Sequence, residues 1–204
     1  MSFVHILVIF SAVISIFGSS TYIWDTIKGK TKPNRVSWSL WALAPIIATF
    51  AALSAHADVW ATTRVFLSGF MPLLIFIASF FNKKSFWKIT FFDAICGVFS
   101  FLAIIVWLLM GSAQWAILLA VIADGFASLP TMVKGWKHPE TETGLTFALG
   151  FIAVLLVLPS IPVWDIQNSA FQIYLLIVNA FLVFAIYGRR ILAKGFLFVN
   201  KNKV

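Results

Sequence analysis

Seven runs of roughly 20 mostly apolar residues, each long enough to cross a bilayer, follow one another along the chain. They lie at about 3–24, 36–55, 63–81, 89–110, 114–133, 144–161 and 170–188, and the connections between them are too short for a soluble domain. A water-facing domain carries roughly 25% charged and 45–50% apolar residues; here charged residues make up 11% and hydrophobic ones 61%. The 22 Phe and 9 Trp exclude a disordered chain, and the single Cys96 excludes a disulfide scaffold. In lipid every backbone polar group has to be satisfied within the protein, and the alternating pattern of barrel strands is absent. The expected fold is therefore an all-α polytopic membrane protein with seven transmembrane helices.

The formal charge of +8 could point to nucleic acid, but its carriers sit in short clusters between apolar runs, a pattern of membrane topology. Fourteen of the 15 basic residues fall on one side: Lys28, Lys30, Lys32, Arg35, Lys83, Lys84, Lys88, Lys134, Lys137, Arg189, Arg190, Lys194, Lys201 and Lys203. Only Arg64 falls on the other, where its long stem can snorkel to the headgroups. The positive-inside rule places the N-terminus outside and the C-terminus in the cytoplasm, as a multi-pass protein of a cytoplasmic membrane. Trp24, Trp60, Trp87, Trp115, Trp136, Trp164 and Tyr187 fall near the expected interfaces. The first span lacks a basic n-region and an A-x-A site and reads as a retained helix. The tail, 191–204, interleaves apolar residues with lysines and is expected on the anionic inner leaflet.

Shifted against itself by 106 residues, the chain falls into step. Ile27-Lys28-Gly29 meets Val133-Lys134-Gly135, Pro33 meets Pro139, Ser37 meets Thr143, and Lys83-Lys84 meets Arg189-Arg190. The repeat pairs spans 1, 2 and 3 with 5, 6 and 7. An odd-numbered unit would be inverted on copying, and one extra helix restores the orientation. The expected organisation is a first three-helix repeat over 1–88, a linker transmembrane helix over 89–112, a second repeat over 113–190 and a cytoplasmic tail. Parallel repeats of this kind form a transporter architecture with a site near the midplane.

This 3+1+3 plan resembles the SWEET sugar transporters and the wider PQ-loop superfamily. The segment Ser128-Leu129-Pro130-Thr131-Met132-Val133-Lys134 is similar to the Pro-Gln segment of that superfamily, with Thr131 in place of Gln and Trp24-Asp25 at the equivalent place in the first half. The resemblance implies a carrier moving a small polar solute, a sugar or a nucleoside-like vitamin, by alternating access. Relatives of this plan also include a receptor, so a non-transporting receptor or scaffold remains the alternative function. Solute identity, direction of flux and oligomeric state stay open, a homo-oligomer included.

Polar residues inside the spans mark the candidate pathway. Ser11, Ser15, Gly18, Tyr22 and Asp25 share one face of span 1, and the register carries Gly18, Tyr22 and Asp25 onto Asp124, Ser128 and Thr131 of span 5. Small and hydroxyl residues at such positions also permit close helix packing. Asp124 is a mid-membrane carboxylate, costing on the order of 2.5–3.5 kcal/mol on insertion scales, and is expected to face a polar cavity with Ser128. A group able to switch between protonated and charged states is what proton coupling needs; a protonated Asp bonded to a neighbouring helix is the alternative. Asp93 reads as an interfacial ion pair or a helix cap. Gln172 and Asn179 share a face of span 7, and Asn179 can donate and accept to a hydroxylated solute or bond across helices. The resemblance implies a solute contact at this Asn, although its counterpart is Leu73.

Trp38, Trp41, Pro45 and Thr49 share a face of span 2, matched by Gly144, Phe147, Phe151 and Leu155 on span 6. Trp41 and Phe147 are candidates for stacking on a solute ring, against packing as the simpler role. Pro45, Pro72 and Pro130 free backbone groups and can kink their helices. The candidate substrate contacts are thus Asn179, Trp41, Phe147, Ser128 and Gln172, with Asp124 for proton coupling and Pro130-Thr131 as the motif. No H-E-x-x-H, Walker loop, G-x-S-x-G or paired-Cys pattern occurs, and His5, His56 and His138 lie apart, so neither an enzyme, a metal site nor a cofactor is expected.

Overall fold

The computed structural model describes residues 3–54, 59–84, 86–109, 113–161, 164 and 166–188. Among these the chain is helical throughout, without a strand. Seven α-helices run in order: α1 (Phe3–Ile27), α2 (Arg35–Ser54), α3 (Val59–Ala78), α4 (Phe91–Leu109), α5 (Ala113–Lys137), α6 (Gly144–Val157) and α7 (Ile166–Val183). A π-helical turn, Phe184–Gly188, continues α7. Each apolar run of the sequence contains one helix. Three stretches, Phe3–Ile27, Leu118–Lys137 and Ser169–Gly188, are long and apolar enough to cross a membrane. Phe66–Ala78, Phe91–Val106 and Gly144–Ser160 are shorter apolar helices. The outer faces of α1 and α4 expose Phe10, Phe17, Phe91, Phe99 and Leu109, an apolar surface that soluble monomers rarely leave to water.

The helix ends follow from local chemistry. α1 stops at Gly29, whose φ of 76° only glycine adopts readily. Gly29 N–H donates to Thr26 O and Lys30 N–H to Asp25 O, the paired bonds of a Schellman cap. The equivalent Lys134-Gly135 does not stop α5, which continues to Lys137. Gly135 instead lets Ile186 approach, since a Cβ there would lie 3.0 Å from its side chain. Asn34 caps α2, its Oδ1 accepting the Val36 N–H at 3.0 Å. Asp93 and Thr90 form a reciprocal capping box at the start of α4, so the cap is its role. Asn34 Nδ2 donates to Asp93 Oδ1 at 3.2 Å, tying the two caps together. Arg35 donates to the Ser79 hydroxyl and carbonyl and stacks on Phe80 and Phe86, fastening the start of α2 to the end of α3.

α3 packs against α1 and α2, α7 against α5 and α6, and the two groups meet where α1 crosses α6 and α2 crosses α5. α4 lies against α5 and α2. The connections α1–α2, α3–α4 and α5–α6 gather at one end of the bundle. There Lys32 N–H donates to Thr141 O, Trp87 N–H to Pro33 O, and Asn82 Nδ2 to Ile27 O, while the Trp87 ring lies 5.3 Å from that of His138. This basic end carries most of the described lysines. The side chains of Trp60, Arg64 and Trp115, residue His56, and the tail from Arg189 onward lie outside the described residues.

The shared cap gives a first expected outcome. Asn34→Ala removes the α2 cap and the Asp93 donor together and should destabilise the protein by about 1–2 kcal/mol. Asn34→Asp should restore the cap but not the link, since a second carboxylate repels Asp93. Thermal unfolding in detergent ranks the three proteins, with wild type highest.

Candidate functional site

At the basic end the two groups of helices are joined by hydroxyl bonds across both crossings. On the α1–α6 side, Thr143 Oγ1 donates to Asp25 Oδ2 at 2.9 Å. That proton is then committed, so Thr31 donates its own to Thr143 Oγ1, 2.5 Å away. On the α2–α5 side, the fully buried Thr131 donates to Ser37 Oγ at 2.8 Å. A polar cleft lined by Thr21, Trp24, Asp25, Glu142, Thr143 and Tyr187 leads to the first crossing.

Behind these bonds lies a charged pair. Lys134 Nζ meets Glu142 Oε1 at 2.6 Å, with side chains 1% and 0% exposed. Lys134 also donates to the Lys32 carbonyl and faces the Trp87 ring. The other oxygen of Glu142 accepts the Tyr22 hydroxyl at 2.7 Å, and Tyr22 in turn accepts the Trp38 indole N–H at 3.3 Å. Burying two charges requires hydrogen-bond partners for them, and here the Tyr22 hydroxyl serves Glu142 and the Lys32 carbonyl serves Lys134. In the sequence Lys134 falls among the loop charges, and no pattern there marks Glu142. The available signal was Tyr22, a hydroxyl on the polar face of α1 needing a buried partner.

Next to the pair, an aromatic core fills the axis between the groups. Tyr22 lies 4.7 Å from Trp38, which stacks on Phe147 at 6.2 Å and meets Trp41 edge-on at 5.0 Å. Trp41 and Phe147, from α2 and α6, come together at 6.4 Å. Ile75, Ala127, Val178, Leu182 and Ile186 complete the cluster, so every helix except α4 contributes. Beside it, Asp124 is buried and accepts the Tyr174 hydroxyl at 2.7 Å. The buried Trp41 Nε1 points towards the Asp124 carboxylate without closing a hydrogen bond of standard geometry.

The candidate residues therefore divide. Trp41, Phe147 and Asp124 converge on the axis between the groups. Ser128 is buried one turn from Asp124 and bonds within its own helix to Gly125 O. Pro130 lies inside α5 just ahead of the Thr131 contact. Asn179 sits where α7 meets α6: its Nδ2 donates to Leu175 O at 2.8 Å, and its Oδ1 lies against Gly150, where a Cβ would come within 2.7 Å. Gln172, seven residues earlier on α7, is buried. Among the described residues no cluster of His, Cys, Asp and Glu could hold a metal ion. No family model, curated protein or solved structure matches the chain, so its chemistry has to be read from these residues.

The pair makes a sharp expectation. Lys134→Met alone should cost about 3–5 kcal/mol, because Glu142 is left buried and uncompensated. The double variant Lys134→Met/Glu142→Leu should recover most of that loss. A double-mutant cycle from denaturant unfolding checks it; a double variant less stable than both singles would contradict the assignment.

Proposed function

We propose that the chain is a seven-span carrier whose two three-helix units, α1–α3 and α5–α7, part alternately at the two ends and pass a small polar solute between them. The observation that carries this reading is the pair of bonds across the crossings. Asp25 and Thr131 are 106 residues apart, as are Ser37 and Thr143. The Thr143–Asp25 and Thr131–Ser37 bonds are thus the same contact made twice with the halves exchanged. The helix contacts agree: α3 stands to α1 and α2 as α7 does to α5 and α6. Two like units meeting through reciprocal contacts are what a parallel-repeat transporter requires.

In this reading the basic end faces the cytoplasm and is closed. The solute is met between Trp41 and Phe147, whose rings suit a sugar or nucleoside-like face, with Asp124 and Tyr174 beside them to exchange hydrogen bonds or a proton. Asn179 reaches the solute by exchanging its bond to Leu175 O, made within its own helix, for one to the solute.

Purified protein in liposomes, given a panel of labelled sugars and nucleosides, should take up at least one member above protein-free controls. Asp124→Asn should remove any stimulation of that uptake by an inward acid gradient. Asn179→Ala should leave thermal stability near wild type and lower apparent affinity about tenfold, as for a lost recognition bond. Absence of uptake across the panel would favour the receptor or scaffold role instead.

A further inference from the structure

The two crossings are not equal. Under the 106-residue register Lys134 corresponds to Lys28, Glu142 to Val36 and Tyr22 to Ser128. None of the three counterparts repeats the buried network. Lys28 is exposed over the Trp24 ring, Val36 carries no charge, and Ser128 bonds within its own helix. The buried ion pair therefore exists once at the closed end, while the hydroxyl contacts exist twice.

We infer that the basic end is held shut by a one-sided latch, in which Tyr22 is the tie. This rests on the carrier reading above. Lys134 and Glu142 both belong to the α5–α6 side, so the ion pair itself survives if the groups part. What breaks is its link to the other group: the Tyr22 hydroxyl on Glu142 and the Lys32 carbonyl on Lys134. A hydrogen bond to a charged group, made where water is excluded, is among the stronger neutral-to-ion contacts available. Breaking it without water would strand a buried carboxylate oxygen, so opening has to admit water to the pair in the same step. Trp38 extends the tie inward. Its indole N–H holds the Tyr22 oxygen, and its ring packs on Trp41 and Phe147, so displacement of those rings by a solute moves the residue that orients the latch. The latch makes closure at the basic end the resting state, and Tyr22 is a positioning residue whose effect falls on the opening equilibrium.

The test uses full-length protein with Cys96→Ala and a reporter, Ser128→Cys, placed behind the latch. Inside-out membrane vesicles are treated with a membrane-impermeant thiol reagent, and the labelling rate is followed. The parent should label slowly. Tyr22→Phe keeps the ring and the ion pair but cuts the tie, and should speed labelling about tenfold. The uncharged double variant Lys134→Met/Glu142→Leu should do the same, while Ser37→Ala, which cuts the neutral bond, should change the rate by less than about threefold. Elution and thermal profiles confirm that each variant is folded. Measurable labelling of the parent with no acceleration by Tyr22→Phe, or equal acceleration by Ser37→Ala, would overturn the latch and leave the carrier reading standing. A reporter unreactive in every folded variant would overturn both, since the units would not part at this end.

Discussion

A lysine and a glutamate removed from water have to be satisfied by the protein that surrounds them, and this requirement organises the basic end of the molecule. Lys134 and Glu142 meet directly, but the pair is complete only when the α1–α2 connection supplies the Lys32 carbonyl and α1 supplies the Tyr22 hydroxyl. Those two groups fix how α1 and its loop stand against α5 and α6. Trp38, Phe147 and Trp41 then pack behind Tyr22. The loops gathered around the pair, tied by Asn34 to Asp93 and by Trp87 to Pro33, keep water out. In the membrane reading proposed above, hydrophobicity alone contributes little to helix packing, and such polar contacts and close approaches carry the specificity of the arrangement.

Much of the architecture was legible in the chain itself. Each apolar run bounded by basic clusters holds one of the seven described α-helices, with ends within a few residues, and three of these stretches are long and apolar enough to cross a membrane. The ends show what pattern reading misses. Lys28-Gly29 and Lys134-Gly135 look alike, yet only Gly29 takes the left-handed cap; Gly135 stays helical under Ile186. Contacts distant in sequence were harder. Tyr22 and Glu142 lie 120 residues apart, and Asp124 and Tyr174 lie 50 apart. Nothing local in the sequence of Lys134 distinguished it from the solvated lysines beside it. Of the polar stripe read on α1 and α5, Ser11, Gly18, Tyr22, Asp124, Ser128 and Thr131 are buried, while Ser15 and Asp25 are half-buried.

The proposed mechanism uses this division of labour. Rings from α2 and α6 occupy the axis, a carboxylate and a phenol flank them, and the charged network closes one end. Because the hydroxyl contacts repeat across both crossings while the buried ion pair does not, the units are alike in plan and unequal in energy. The latch adds to the two hydroxyl contacts at the basic end and weights closure there. The prolines within α2, α3 and α5 lie where a helix segment can pivot without losing further backbone bonds.

The most direct measurement fixes the second crossing covalently. Ser37 and Thr131 hydroxyl oxygens lie 2.8 Å apart across the two units. Ser37→Cys/Thr131→Cys on a Cys96→Ala background should therefore form a disulfide under mild oxidation. If the units must part at the basic end, cross-linked protein in liposomes will lose uptake of its solute, and reduction will restore it. Full cross-linking with unchanged uptake would contradict the account.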